Sequence, residues 1–149
     1  MNPFDIRTAL LAKHAQHVVL IHFPIALFIA GVAFDFLAQK IKRRGLAEAA
    51  YYNLLGAAIS VVPVLGTGLL AWQFQLEGQK LKGVLLMHLI LGWASAVLIW
   101  IAFGMHVRAR RHLAERLPLV RLGLETVAVA IVALTGHLGG FLSGVNGFN

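Results

Sequence analysis

Four long apolar runs decide what this chain can fold into. Residues 17–38, 51–73, 83–105 and 120–142 are each long enough to cross a membrane, since ~30 Å of hydrocarbon takes about 20 helical residues. Backbone groups in lipid must be paired within the segment, so the runs predict helices, and no period-two alternation argues for a barrel. Composition agrees. Of 149 residues 59% are hydrophobic and 13% charged, with a mean hydropathy of +0.79; an ordinary soluble domain carries roughly 25% charged residues. The expected fold class is all-α, a polytopic membrane protein forming one four-transmembrane-helix domain over residues 1–149.

The connections "QKIKRRGLAEAA", "FQLEGQKLK" and "HVRARRHLAERLPLV" read as short polar loops. Short loops make consecutive helices antiparallel neighbours, which predicts an up-down-up-down bundle. The start, "MNPFDIRTALLAKHAQ", lacks the basic-then-apolar pattern of a signal peptide and reads as an interfacial lead into the first helix.

Basic residues set the expected orientation. Lys40, Lys42, Arg43, Arg44, Arg108, Arg110, Arg111, Arg116 and Arg121 belong to the first and third loops, against Arg7, Lys13, Lys80 and Lys82 on the other side. Positive residues favour the cytoplasmic side, so both termini are expected in the periplasm of a bacterial inner membrane. The net charge of +7 is then a topology signal, and no nucleic-acid partner is expected. Trp72 and Tyr51/Tyr52 sit at helix ends, where amphipathic rings favour the interface.

Against that background "TGHLGG" (135–140) is an anomaly: a histidine among bare glycines inside an apolar run. Two other runs carry a histidine at matching depth. His22, His88 and His137 all fall roughly 7–9 Å below the outer interface at 1.5 Å per residue, and His17 lies closer to water. Ionisable residues inside a membrane are costly and mark function by default. His14 reads as part of the solvated lead, and His106 and His112 as surface residues of the basic end. Asp35 and Glu125 read as interfacial ion-pair partners of the arginine cluster, with a proton path as the alternative reading.

The chemistry of such a layer is bounded by what is absent. With no cysteine, disulfides, thiolate metal sites, iron–sulfur clusters and covalent haem attachment are excluded. Facing imidazoles across a bundle suit a b-type haem. The first and third helices are diagonal in a sequential bundle, which makes His22 and His88 the expected axial pair. His137 and His17 are then a second ligand set or contacts to quinol or a propionate. Gly66, Gly68, Gly139 and Gly140 would let a bulky plate approach the backbone. The alternative is a bare copper or zinc ion on His22, His88 and His137. Pro24 removes a donor to the Leu20 carbonyl and predicts a kink beside His22 rather than a late helix start. Trp93 and Trp100 read as packing and belt residues, with Trp93 near enough to His88 in sequence to edge a cofactor.

"HVVLIHFPIAL", with His17, His22, Phe23 and Pro24, together with His88 and "TGHLGG", resembles a widespread family of predicted four-helix bacterial membrane proteins of unknown function. The resemblance spans all four helices. It implies the fold and topology and groups His17, His22, His88 and His137 as the functional layer. The chain departs from the pattern at Val18, where many relatives have proline, and in "GGFLSGVNGFN", which lacks the acidic residue expected after the glycine pair. A second similarity, architectural only, is to small membrane cytochromes b of quinone-linked oxidoreductases.

The resulting expectation is a haem-bearing electron-transfer protein, or a redox subunit of an oxidoreductase complex. It would link the quinol pool to a periplasmic redox partner, as part of a larger membrane complex or a homo-oligomer. The alternatives are a copper- or zinc-binding membrane protein and a non-catalytic subunit or assembly factor of a respiratory complex.

Overall fold

A computed structural model describes residues 13–76, 78, 80–111 and 118–143. Four helices follow one another: α1 (Lys13–Ile41), α2 (Arg44–Gln75), α3 (Gly83–Arg111) and α4 (Pro118–Leu142). All four are long and apolar enough to cross a membrane, and there is no strand among the described residues. The helices outrun the apolar segments. α3 carries on through the arginines to Arg111, and the expected loop at 39–50 is almost entirely helical. Its Leu, Ala, Glu and Arg are strong helix formers, and Arg44 adds an i,i+4 bond to Glu48 at 3.2 Å.

Only Lys42 and Arg43 separate α1 from α2. Lys42 takes a left-handed φ of 54° and its amide donates to the Ala38 carbonyl at 2.8 Å. That geometry caps the C-terminus of a helix and turns the chain back on itself. Gly78 performs the same task after α2: with φ +63° its amide reaches back to the Trp72 carbonyl at 3.2 Å. Pro118 opens α4, a position where its missing N–H costs nothing. α1 runs unbroken through Pro24, so the helix does not start late.

Each helix packs on two neighbours: α1 on α2 and α4, α3 on α4 and α2, which leaves α1 diagonal to α3. The α1–α2 contact is the most extensive, and reciprocal small-for-large packing explains it. A Cβ on Gly31 would lie 2.9 Å from Leu54 Cγ, and one on Gly56 would lie 3.0 Å from Leu27 Cδ1. In lipid, helix association rests on such close van der Waals fit. Phe28, Leu54, Ala57, Ala96, Ile99, Ala128 and Val132 fill the middle of the bundle. Trp100 ties α3 to α2, its Nε1 donating to the Ala58 carbonyl at 3.0 Å. The outer faces remain apolar, with Val19, Ile59 and Val62 more than half exposed, as a surface solvated by lipid requires.

The start of α1, the end of α2, the start of α3 and the end of α4 meet at one end of the bundle, here the terminal end. The other holds Lys40 through Arg44, Arg108 to Arg111 and Arg121, and is the basic end.

Candidate functional site

At the terminal end the four helices line a cavity of about 370 Å³, within the usual size range of small-molecule sites. His17 and His22 of α1, His88 of α3 and Gly68, Gly139 and Gly140 line it, with Trp72 and Trp93. His17 and His88 are seated alike. The His17 ring lies against Gly68, where an added Cβ would stand 3.0 Å from its Cε1; the His88 ring lies against Gly139, where the distance would be 3.1 Å. Each imidazole therefore occupies room that a side chain on the next helix would take.

In all three cavity histidines Nδ1 is tied to a neighbouring oxygen. His88 Nδ1–H donates to the Thr135 carbonyl at 3.1 Å, an oxygen that can only accept. The Thr67 hydroxyl spends its proton on the Pro63 and Val64 carbonyls, so at 3.2 Å it accepts from His17 Nδ1–H. His22 Nδ1–H donates to the Val18 carbonyl of its own helix at 2.7 Å. In the neutral rings this leaves three Nε2 lone pairs. Tying one ring nitrogen to a carbonyl or hydroxyl is the way ligating histidines are oriented. Ser95 extends the polar set inward through a 3.0 Å contact with the Thr135 hydroxyl.

The expected layer is thus only partly assembled. His137 is exposed, edge-on to Phe141 at 4.9 Å, and does not line the cavity. The reason is rotational: it stands two residues from Thr135 and from Gly139, about 200° round a helix that turns 100° per residue. The trio His22, His88 and His137 does not converge. His17, assigned the outer position, joins His88 instead, while His22 is exposed at the cavity edge. Gly66 is also exposed, with nothing within 4 Å of an added Cβ, and does not cradle the histidines. The roles of Thr67, Thr135 and Ser95 were not anticipated.

A second cluster lies toward the basic end. Arg121 of α4 grips Asp35 of α1 with two bonds of 2.8 Å, Nε to Oδ2 and Nη2 to Oδ1, the expected ion pair, but with Asp35 buried rather than interfacial. His106 of α3 is a correction: read as a surface residue, it is only 6% exposed. Its Nε2 lies 2.7 Å from Glu125 Oε1 and 3.7 Å from Asp35 Oδ2. Glu125 pairs with this histidine rather than with an arginine at the interface, and is fully buried. Its Oε2 has no hydrogen-bond partner among the described residues. The ligand-type atoms of Asp35, His106 and Glu125 lie within 4.8 Å of one another, the only such trio among the described residues. One signal did exist in the sequence. His17 to Asp35 and His88 to His106 are both eighteen residues, five full turns, so each pair shares a helix face. His112 lies outside the described residues.

No curated protein and no solved structure matches the chain. A family model described as "Predicted membrane protein (DUF2231)" matches residues 13–148. That match takes in all four helices and both polar clusters, and the chain belongs to this family of predicted membrane proteins.

Proposed function

We propose that the terminal-end cavity is a cofactor site in which His17 and His88 hold a b-type haem, making the protein a membrane electron-transfer protein or subunit. One observation carries the reading: two imidazoles on diagonal helices, each with Nδ1 hydrogen-bonded to a threonine of the adjacent helix, line one apolar cavity against glycines. The donor set fits. Two neutral imidazoles suit axial ligation of haem iron without cysteine, and hydrogen-bonded Nδ1 atoms fix ring orientation. His17 replaces His22 as the partner of His88, and His22 takes the peripheral role of a propionate or quinol contact. The haem would supply one-electron chemistry. The chain would hold and orient it, exclude water with Leu65, Leu89 and Val132, and pass electrons between the quinol pool and a redox partner. We place the terminal end in the periplasm of a bacterial inner membrane on the strength of the basic residues at the opposite end.

A reduced-minus-oxidised absorption spectrum of the full chain, purified in detergent from haem-sufficient cells, tests this together with iron, copper and zinc analysis. Sharp b-type bands with about one iron per chain are expected, lost in His17→Ala and in His88→Ala and retained in His137→Ala. A colourless, metal-free, folded protein would sink the reading in favour of a structural subunit of a larger complex. Bound copper or zinc without iron would make the cavity a metal site.

A further inference from the structure

The buried cluster at the basic end is not used by the proposed haem site, and its charge count is informative. Asp35 and Glu125 bring two negative charges and Arg121 brings one positive charge. One further unit of positive charge makes the group neutral, and a buried group with net charge is costly in an apolar bundle. A divalent cation would overshoot to a net positive charge beside a guanidinium already bound to Asp35. A single proton balances it.

The hydrogen bonds indicate where that proton rests. Both Asp35 oxygens are taken by the Arg121 fork. The 2.7 Å contact between Glu125 Oε1 and His106 Nε2 needs one proton between them. If it sat on His106, Glu125 would be an anion with one oxygen, Oε2, buried and without a partner. If it sits on Glu125 Oε1, Oε2 is a carbonyl oxygen of a neutral acid, which is far cheaper to leave unpaired.

We propose that Glu125 and His106 form a one-proton exchange site: a neutral Glu125 acid donates from Oε1 to His106 Nε2 and exchanges its proton with water at the basic face. α1 supplies Asp35, already neutralised; α4 supplies Arg121; α2 packs its apolar Ala50 and Leu54 into the same half of the bundle, and its Tyr51 lies beneath Arg110 of α3 at 4.1 Å. Release moves one proton from Glu125 to bulk water and leaves one negative charge on the cluster; uptake reverses it. The way out is short, because exposed Arg111 follows His106 by five residues, about 7.5 Å of helix.

Infrared spectroscopy of the full chain in nanodiscs, with and without ¹³C-glutamate labelling, tests the proposal. At neutral pH a protonated carboxyl band is expected that shifts with the glutamate label and in D₂O, disappears in Glu125→Gln and moves in His106→Gln. It should titrate reversibly as pH is raised. The label assigns the band to glutamate in the wild-type chain even where a variant does not fold. An all-ionised spectrum, a band insensitive to the glutamate label or to Glu125→Gln, or a band that never titrates would each overturn the proposal. So would stoichiometric zinc or manganese, added alone, that binds the wild-type chain and not Glu125→Gln. None of these outcomes depends on haem content, so the haem reading stands or falls separately.

Discussion

Replacing Asp35 by asparagine keeps the volume and one acceptor oxygen but removes the charge that holds Arg121. The guanidinium fork makes two charge-assisted bonds of 2.8 Å to a carboxylate that is 2% exposed, from a side chain itself 13% exposed. Hydrogen bonds to charged groups contribute about 1.5–3 kcal/mol each, and stripping one partner from a buried pair costs about 3–5 kcal/mol because the other charge stays unpaired. Asp35→Asn is therefore expected to lose about 3–5 kcal/mol. SDS-driven unfolding in mixed micelles, followed by circular dichroism, measures it. The double replacement Asp35→Leu with Arg121→Leu removes both charges and should recover most of that loss, finishing within about 1–2 kcal/mol of wild type. A single-variant loss below about 1 kcal/mol, or a double variant as unstable as the sum of the singles, would show that the pair does not clamp α1 to α4 as the structure implies.

Three further outcomes follow from the packing. Gly139→Ala places a methyl 3.1 Å from His88 Cε1 and Gly68→Ala one 3.0 Å from His17 Cε1; each should destabilise by about 1–3 kcal/mol and lower the occupancy of the proposed haem, read as the absorbance ratio of haem to protein. Ser95→Ala leaves the Thr135 hydroxyl with its Ile131 carbonyl at 2.8 Å, so the loss should stay near about 0.6 kcal/mol, the average for such bonds in membranes, by the same unfolding assay. Trp100→Phe removes a donor to Ala58 O and should cost about 0.5–1.5 kcal/mol, while leaving the cavity spectrum unchanged.

Hydropathy made the fold legible because lipid enforces a single rule on the backbone. Four runs had to be four helices. The site was less legible, for a reason of rotation rather than depth. Counting residues from the helix ends put His22, His88 and His137 at one height, but height says nothing about which way a side chain points. Thr135, Gly136, Gly139 and Gly140 share the cavity face of α4, and a residue two places from Thr135 must look the other way. On α1, His17 and His22 are five residues apart, about 140° round the axis, so they cannot both face the centre. His106 was hidden by composition: among Arg108, Arg110 and Arg111 it reads as one more polar residue of a wet end. Its burial depends on Asp35 and Glu125 arriving from two other helices, which only the three-dimensional packing brings together.

The eighteen-residue spacing on α1 and α3 puts the imidazole layer and the acid–base cluster about 27 Å apart along the helices, with the apolar middle of the bundle between them. Ser95 is the deepest polar side chain lining the cavity, and it bonds back toward Thr135 rather than onward to His106. No chain of polar side chains joins the layers among the described residues. Any coupling between them is therefore long-range electrostatics. At an effective dielectric of about 20, one unit charge acts on another across ~27 Å with about 0.6 kcal/mol, or about 25 mV for a one-electron couple. Removing the exchangeable proton site with Glu125→Gln should accordingly shift the midpoint potential of a haem held by His17 and His88 by no more than about 25 mV, measured by redox titration at fixed pH. A shift several times larger would mean that the two layers move together through the packed core, and the picture of two insulated sites would have to be abandoned.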